Sequence, residues 1–180
     1  AGLNPSVVWE KGQKRPWNAP LKTLCWKIGE SFMKVSTNQN DIYGKYYASR
    51  RRLEWSRNLA GDFAKQAESL LIKKSFKKDT VAFKWYTGQF DPAVVQRFVE
   101  EGKALTELPQ ATNGRGGRML PPDHILQRSK RYAVKLFLAH YHHVGYKLLH
   151  GVDPPNPYPI KYLGHDESMI IPPPHQEAAR

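Results

Sequence analysis

Arg50, Arg51 and Arg52 stand side by side in a segment of helical periodicity, with Arg57 beyond them and Tyr47 and Trp55 interleaved. Consecutive helix residues point about 100° apart, so three adjacent arginines cannot all enter one core. At least one faces solvent or a partner. A basic helix with aromatic neighbours can hold phosphates while a ring meets a base or sugar, and an ordinary solvated face is the competing reading. Lys73, Lys74, Lys77 and Lys78 carry the positive run past the end of the segment. A second basic collar, Arg128, Lys130, Arg131 and Lys135, lies where another helical pattern begins.

Other chemistries find less support. His140 and His143, with His142 beside them, have a spacing that lets two imidazoles share a metal. No carboxylate or cysteine follows at ligand spacing, so His140 reads as a core histidine and no metal site is assigned. The adjacent acids Glu100/Glu101 and Asp166/Glu167 point to different sides of any regular element and read as surface charge. No glycine-rich phosphate loop occurs, and no apolar strand ends in a carboxylate as a two-metal nuclease requires.

The charge balance returns the argument to polyanions. Lys and Arg number 28 against 16 Asp and Glu, a formal net charge of +12, which favours a polyanionic partner. Aromatic residues are 12% of the chain, the composition of a folding sequence and not of a basic disordered tail. Cys25 is the single cysteine, which excludes an internal disulfide and suits a reducing cytoplasm. No apolar run approaches the roughly 18 residues that span a membrane, and no signal-peptide pattern opens the chain. The first residue is Ala1 and not Met, as expected of a processed start or a piece of a longer protein.

The elements that position these residues are helices. The longest pattern runs over residues 123–150, where Ile125, Ser129, Tyr132, Leu136, His140, Val144 and Leu148 recur at steps of three and four. Pro121, Pro122 and Asp123 mark its start, and Gly151 with Pro154 and Pro155 its stop. Gly145 inside it predicts a close approach by another element. Asn18 is the expected N-cap of a helix to about Met33, with Leu21, Leu24, Cys25, Ile28 and Phe32 on its apolar face. Trp17 and Trp26 are expected in the core rather than as base-stacking platforms. After a turn over residues 36–40, one long helix is expected over 41–74. A helical hairpin and linker follow over about 79–121, broken at Gly88, restarted at Asp91 and Pro92, and flexible over 109–122. The proline-rich residues 151–180 are expected as an extended strap.

Several stretches resemble a known family. Ala1-Gly2-Leu3-Asn4-Pro5, residues 14–32 (KRPWNAPLKTLCWKIGESF), residues 43–52, residues 131–146 (RYAVKLFLAHYHHVGY) and the ending Pro157-Tyr158-Pro159-Ile160 to Leu163-Gly164-His165 resemble, in this order, the C-terminal domain of insertion-sequence transposases of the IS-one-ten class. The resemblance covers about two thirds of the chain and leaves out the hairpin and linker. It implies an upstream RuvC-like domain whose acidic residues bind Mg²⁺, so that the metal centre would precede Ala1. It also implies a nucleophilic serine, usually followed by glycine, shortly after the proline. The residue in that neighbourhood is Ser6, followed here by Val7.

The sequence therefore predicts a mainly α-helical domain over residues 1–150, built around one long C-terminal helix, with an extended proline-rich tail over 151–180. The expected role is the DNA-binding part of a transposase, catalytically incomplete alone, in a prokaryotic cytoplasm at the nucleoid. DNA or structured RNA, the upstream domain and a further copy of the chain are the expected partners; a membrane is not. No cofactor is expected in this chain itself. Phosphate contacts are assigned to Lys14, Arg15, Lys22, Arg50, Arg51, Arg57, Arg128, Arg131 and Lys135, and the nucleophile to Ser6. The alternative is a noncatalytic RNA-binding or ribosome-like structural protein, which the same charge and aromatic content would serve.

Overall fold

A computed structural model of the chain describes residues 10–14, 17–73, 76–111 and 116–174. The described residues are mainly helical and contain no strand. They form α1 (Ala19–Lys34), α2 (Ile42–Leu59), α3 (Ala64–Lys73), α4 (Val81–Tyr86), α5 (Pro92–Glu100), α6 (Pro122–His150) and α7 (Tyr158–Leu163), with single 3-10 turns at Leu105–Glu107 and Glu167–Met169. None of these helices is long and apolar enough to cross a membrane. The chain divides into two compact units, one of residues 47–129 and one of residues 1–46 with 130–180, the division falling inside α2 and α6.

The unit of residues 47–129 holds the larger core. Trp55, Phe63, Ala67, Trp85, Tyr86, Phe90, Val95, Leu108, Met119, Leu120 and Ile125 pack together. Trp85 is at its centre, with ring centroids 6.1 Å from Trp55 and 4.8 Å from Phe90. The helix expected over 41–74 is two helices, α2 and α3. Gly61 takes φ +89°, a conformation that terminates a helix at little cost only in glycine. The turn then drives Phe63 inward, where it is 4% exposed. The α5 start follows its sequence signal, since Asp91 caps Ala93 N–H, and Thr80 caps Phe83 N–H at the start of α4.

The stretch expected as a flexible linker is instead anchored over residues 116–121. Met119 and Leu120 are fully buried. Asn58, itself buried, accepts from Leu120 N–H at 2.8 Å and donates to Leu120 C=O at 3.0 Å. Met119 N–H donates to Trp85 C=O, and Gly117 N–H to Phe90 C=O. The glycines serve this crossing: a Cβ on Gly88 (φ +78°) would lie 3.1 Å from Arg118 N, and one on Gly117 2.9 Å from Pro92 Cγ. Their small size permits close backbone packing, a use that composition alone does not separate from looseness.

In the unit of residues 1–46 and 130–180, α1 is capped by Asn18, whose side chain accepts from Leu21 N–H at 3.0 Å. It packs on α6 through Gly29, where an added Cβ would be 3.3 Å from Val134 Cγ2 and 3.4 Å from Lys130 Cβ. Lys130, expected in an exposed collar, is 5% exposed and pairs with Glu30. Beyond that contact Phe32, Tyr43 and Phe137 form an aromatic cluster with centroids 5.1 to 5.8 Å apart. The stripe expected to be buried along all of α6 is covered only as far as His140. Tyr141, Val144 and Leu148 continue it but are exposed, and a Cβ added at Gly145 would meet nothing within 4 Å, so among the described residues the close approach expected there is not found. The helix ends at Gly151, with φ +72° and its N–H bonded to Lys147 C=O. The tail is not wholly extended, because α7 interrupts it and closes on Gly164 at φ +67°. It does act as a strap at one point: His140 Nε2 lies 2.9 Å from Ile171 C=O, and Pro173 is buried.

Candidate nucleic-acid interface

The unit of residues 47–129 gathers three of the arginines around internal acids. Glu54 is fully buried on α2. Arg50 donates to its Oε1 at 2.7 Å through Nε and approaches it at 2.6 Å through Nη2, while Arg128 Nε donates to Oε2 at 2.6 Å. Burial opposes ionisation of Glu54, and the two guanidinium groups outweigh it, holding its carboxyl below the usual carboxylate range. Arg128 also reaches Gln66 Oε1 at 3.4 Å. Arg57 Nε donates to Asp62 at 2.8 Å. The Phe63 ring lies under both Arg57, 5.0 Å from its centroid, and Arg128, 4.4 Å from it. Arg50, Arg57 and Arg128 are thus engaged within the unit, and they fix α2 against the turn before α3 and the first turns of α6.

The opposite side of α2 is free of that network. Ser49, Arg52 and Ser56, spaced i, i+3, i+7, are exposed along one side, and Arg51 is exposed about 100° round the helix from Arg52. Hydroxyl and guanidinium donors in such a row suit phosphate oxygens, and an arginine fork takes a phosphate through two parallel bonds. Arg52 was not among the residues assigned from the sequence. Its signal was present, because Arg50 stands four residues before Glu54, the spacing of an ion pair along one helix face. That pairing turns Arg50 inward and leaves Arg51 and Arg52 as the outward members of the triplet.

In the other unit Lys14, Lys22, Arg131 and Lys135 are exposed, the last two one turn apart on α6. Lys22 Nζ lies 5.0 Å from the Trp17 ring centroid. Arg15 and Ser6 fall outside the described residues. His140 offers no nitrogen to a metal, since Nδ1 is 3.0 Å from Tyr43 OH and Nε2 bonds Ile171 C=O. Burial lowers its pKa below the ordinary histidine value. Among the described residues no group of three His, Cys, Asp or Glu side chains is placed to hold a metal ion.

The acids are largely occupied by their own chain. Glu30, Glu68, Glu101 and Asp153 pair with Lys130, Arg118, Lys103 and Lys147. Asp41, Asp91 and Asp166 accept from the backbone N–H groups of Gly44, Ala93 and Ser168. The excess positive charge is therefore carried outward by lysines and arginines. Comparison of the chain with protein-family models, with curated proteins and with solved structures gives no match.

Proposed function

We propose that this chain is a nucleic-acid-binding helical module of a transposase resembling the IS-one-ten class, and that it holds DNA, or RNA paired with DNA, through the outward side of α2. The observation that carries the reading is the division of labour among the α2 arginines. Arg50 ties the helix to its own unit through the buried Glu54, Arg57 is taken up in a surface pair with Asp62, and Arg51 and Arg52 stand exposed, Arg52 in line with Ser49 and Ser56. A donor row on a helix that is already fixed loses little conformational freedom when it meets a phosphate backbone. Such contacts position a duplex and carry little sequence information.

Strand cleavage is a separate matter. The resembled family cuts with clustered carboxylates and Mg²⁺ in its RuvC-like domain, and two-metal chemistry needs several carboxylates converging on ions about 4 Å apart. Among the described residues, Glu30, Glu54, Glu68, Glu101 and Asp153 are taken up in separate ion pairs and Asp41, Asp91 and Asp166 in separate backbone caps. The proposed role is therefore binding without cleavage, with Mg²⁺ and its ligands supplied by another domain. The test is fluorescence anisotropy with a labelled duplex, alongside a nicking assay in Mg²⁺ or Mn²⁺. The expected result is salt-sensitive binding, no nicking or joining, and full binding by Ser6→Ala. Absence of salt-sensitive binding would overturn the reading. Metal-dependent cleavage lost on mutation of the chain's own carboxylates would overturn its noncatalytic part.

A further inference from the structure

Trp26 is an anomaly of α1. A tryptophan in a helix that packs on another helix belongs in the contact, yet Trp26 is 59% exposed. It does not extend the neighbouring apolar surface. Leu24, two residues before it, points about 200° away around the helix, and Leu21 lies on that same far side. Its own side of the helix carries Lys22 and Thr23 one turn before it and Gly29 and Glu30 one turn after it, Gly29 being the point at which α1 meets α6 and Trp26 lying one turn short of that contact. The Glu30 carboxylate is neutralised by Lys130. Lys27, the next residue, is exposed, and Lys22 reaches over Trp17. A large exposed ring set among cations, with the only acid of its helix paired away, has the composition of a base-stacking platform and not of an apolar docking patch.

We infer that Trp26 is a stacking platform for unpaired nucleotides, with Lys22 and Lys27 taking the flanking phosphates. This rests on the nucleic-acid reading above and adds to it a second site, on a different helix, for single-stranded DNA or RNA. Every base presents a π-face, so stacking of this kind tolerates any sequence, whereas a base-paired duplex buries its faces and offers Trp26 nothing to stack on.

The experiment measures affinity of the whole chain for a labelled single strand and for the duplex of the same sequence, in wild type, Trp26→Phe, Trp26→Leu and Lys22→Gln. Trp26→Leu keeps an apolar side chain and removes the ring. It should lose about tenfold or more in single-strand affinity, with duplex affinity and thermal stability unchanged. Trp26→Phe should keep most of the single-strand affinity. Lys22→Gln should flatten the single-strand salt slope by about 0.7 log unit per log salt. Unchanged single-strand binding by Trp26→Leu, or equal losses on both nucleic acids, would overturn the platform. Self-association that depends on Trp26 while single-strand affinity does not would assign the face to a protein contact instead. Wild-type binding to duplex alone would remove this inference and leave the α2 reading intact; binding to neither would remove both.

Discussion

Glu54→Gln is the perturbation with the most direct structural consequence. The carboxylate is fully buried and receives Arg50 on one oxygen and Arg128 on the other. Removing one partner of a buried ion pair costs about 3–5 kcal/mol, because the remaining charge is left uncompensated. The two arginine side chains retain about a quarter of their exposure, so water recovers part of that penalty, and a loss of about 2–3 kcal/mol follows. For a chain of this size, that lowers Tm by about 5–10 °C. The pH dependence has a definite sign. The folded-state pKa of Glu54 is depressed, so its contribution is complete above the unfolded-state value of about 4.3 and disappears as pH falls through the folded-state value. Thermal melts by circular dichroism should show the full gap at neutral pH and convergence of wild type and variant in strong acid. A Glu54→Gln protein within about 0.5 kcal/mol of wild type at neutral pH, below the range of a buried pair, or a gap that persists in strong acid, would refute the buried network.

Asn58→Ala leaves the N–H and C=O of Leu120 buried without partners and should cost about 2–4 kcal/mol, with amide exchange at Leu120 the most accelerated. Gly145→Ala should stabilise by about 1 kcal/mol in a chemical-denaturation series, since its Cβ meets nothing. Gly44→Ala should destabilise, because its Cβ would lie 2.8 Å from Val35 C=O. Burial holds His140 neutral in the fold with its pKa below the ordinary value, so stability declines as pH falls from the unfolded-state value of about 6.5 toward the depressed folded-state value; protonation costs Nδ1 its bond from the Tyr43 hydroxyl, while Nε2–H still donates to Ile171 C=O. Thermal stability should fall over that interval in wild type, and His140→Gln should remove that part of the dependence.

Much of the helical architecture was legible because its signals are local. The Asn18 cap, the restart at Asp91 and Pro92, and the α6 limits at Pro122 and Gly151 are written within a few residues of where they act. The failures need partners distant in sequence. Gly61 breaks the helix expected over 41–74 because Phe63 is drawn into a core completed by Trp85 and Leu120. The glycines near residue 117 read as loose until Gly88 is seen against them. The exposure of Tyr141, Val144 and Leu148 follows from where α1 stops covering α6, which periodicity does not report. At the candidate site, the basic character of α2 was plain, and the spacing of Arg50 and Glu54 carried a local signal for the sorting of its arginines but not its strength. The burial of Glu54 and the arrival of Arg128, 74 positions away, make that pairing internal and set Arg50 apart from the exposed Arg51 and Arg52.

The central claim is that the outward arginines of α2 meet phosphates while the inward ones hold the helix. The decisive measurement is the slope of log affinity against log salt for a duplex, in wild type and in Arg51→Ala/Arg52→Ala. If each arginine neutralises one phosphate, the double variant flattens the slope by about 1.8, with Tm unchanged because neither residue belongs to the Glu54 network. An unaltered slope and affinity in a folded double variant would contradict the account.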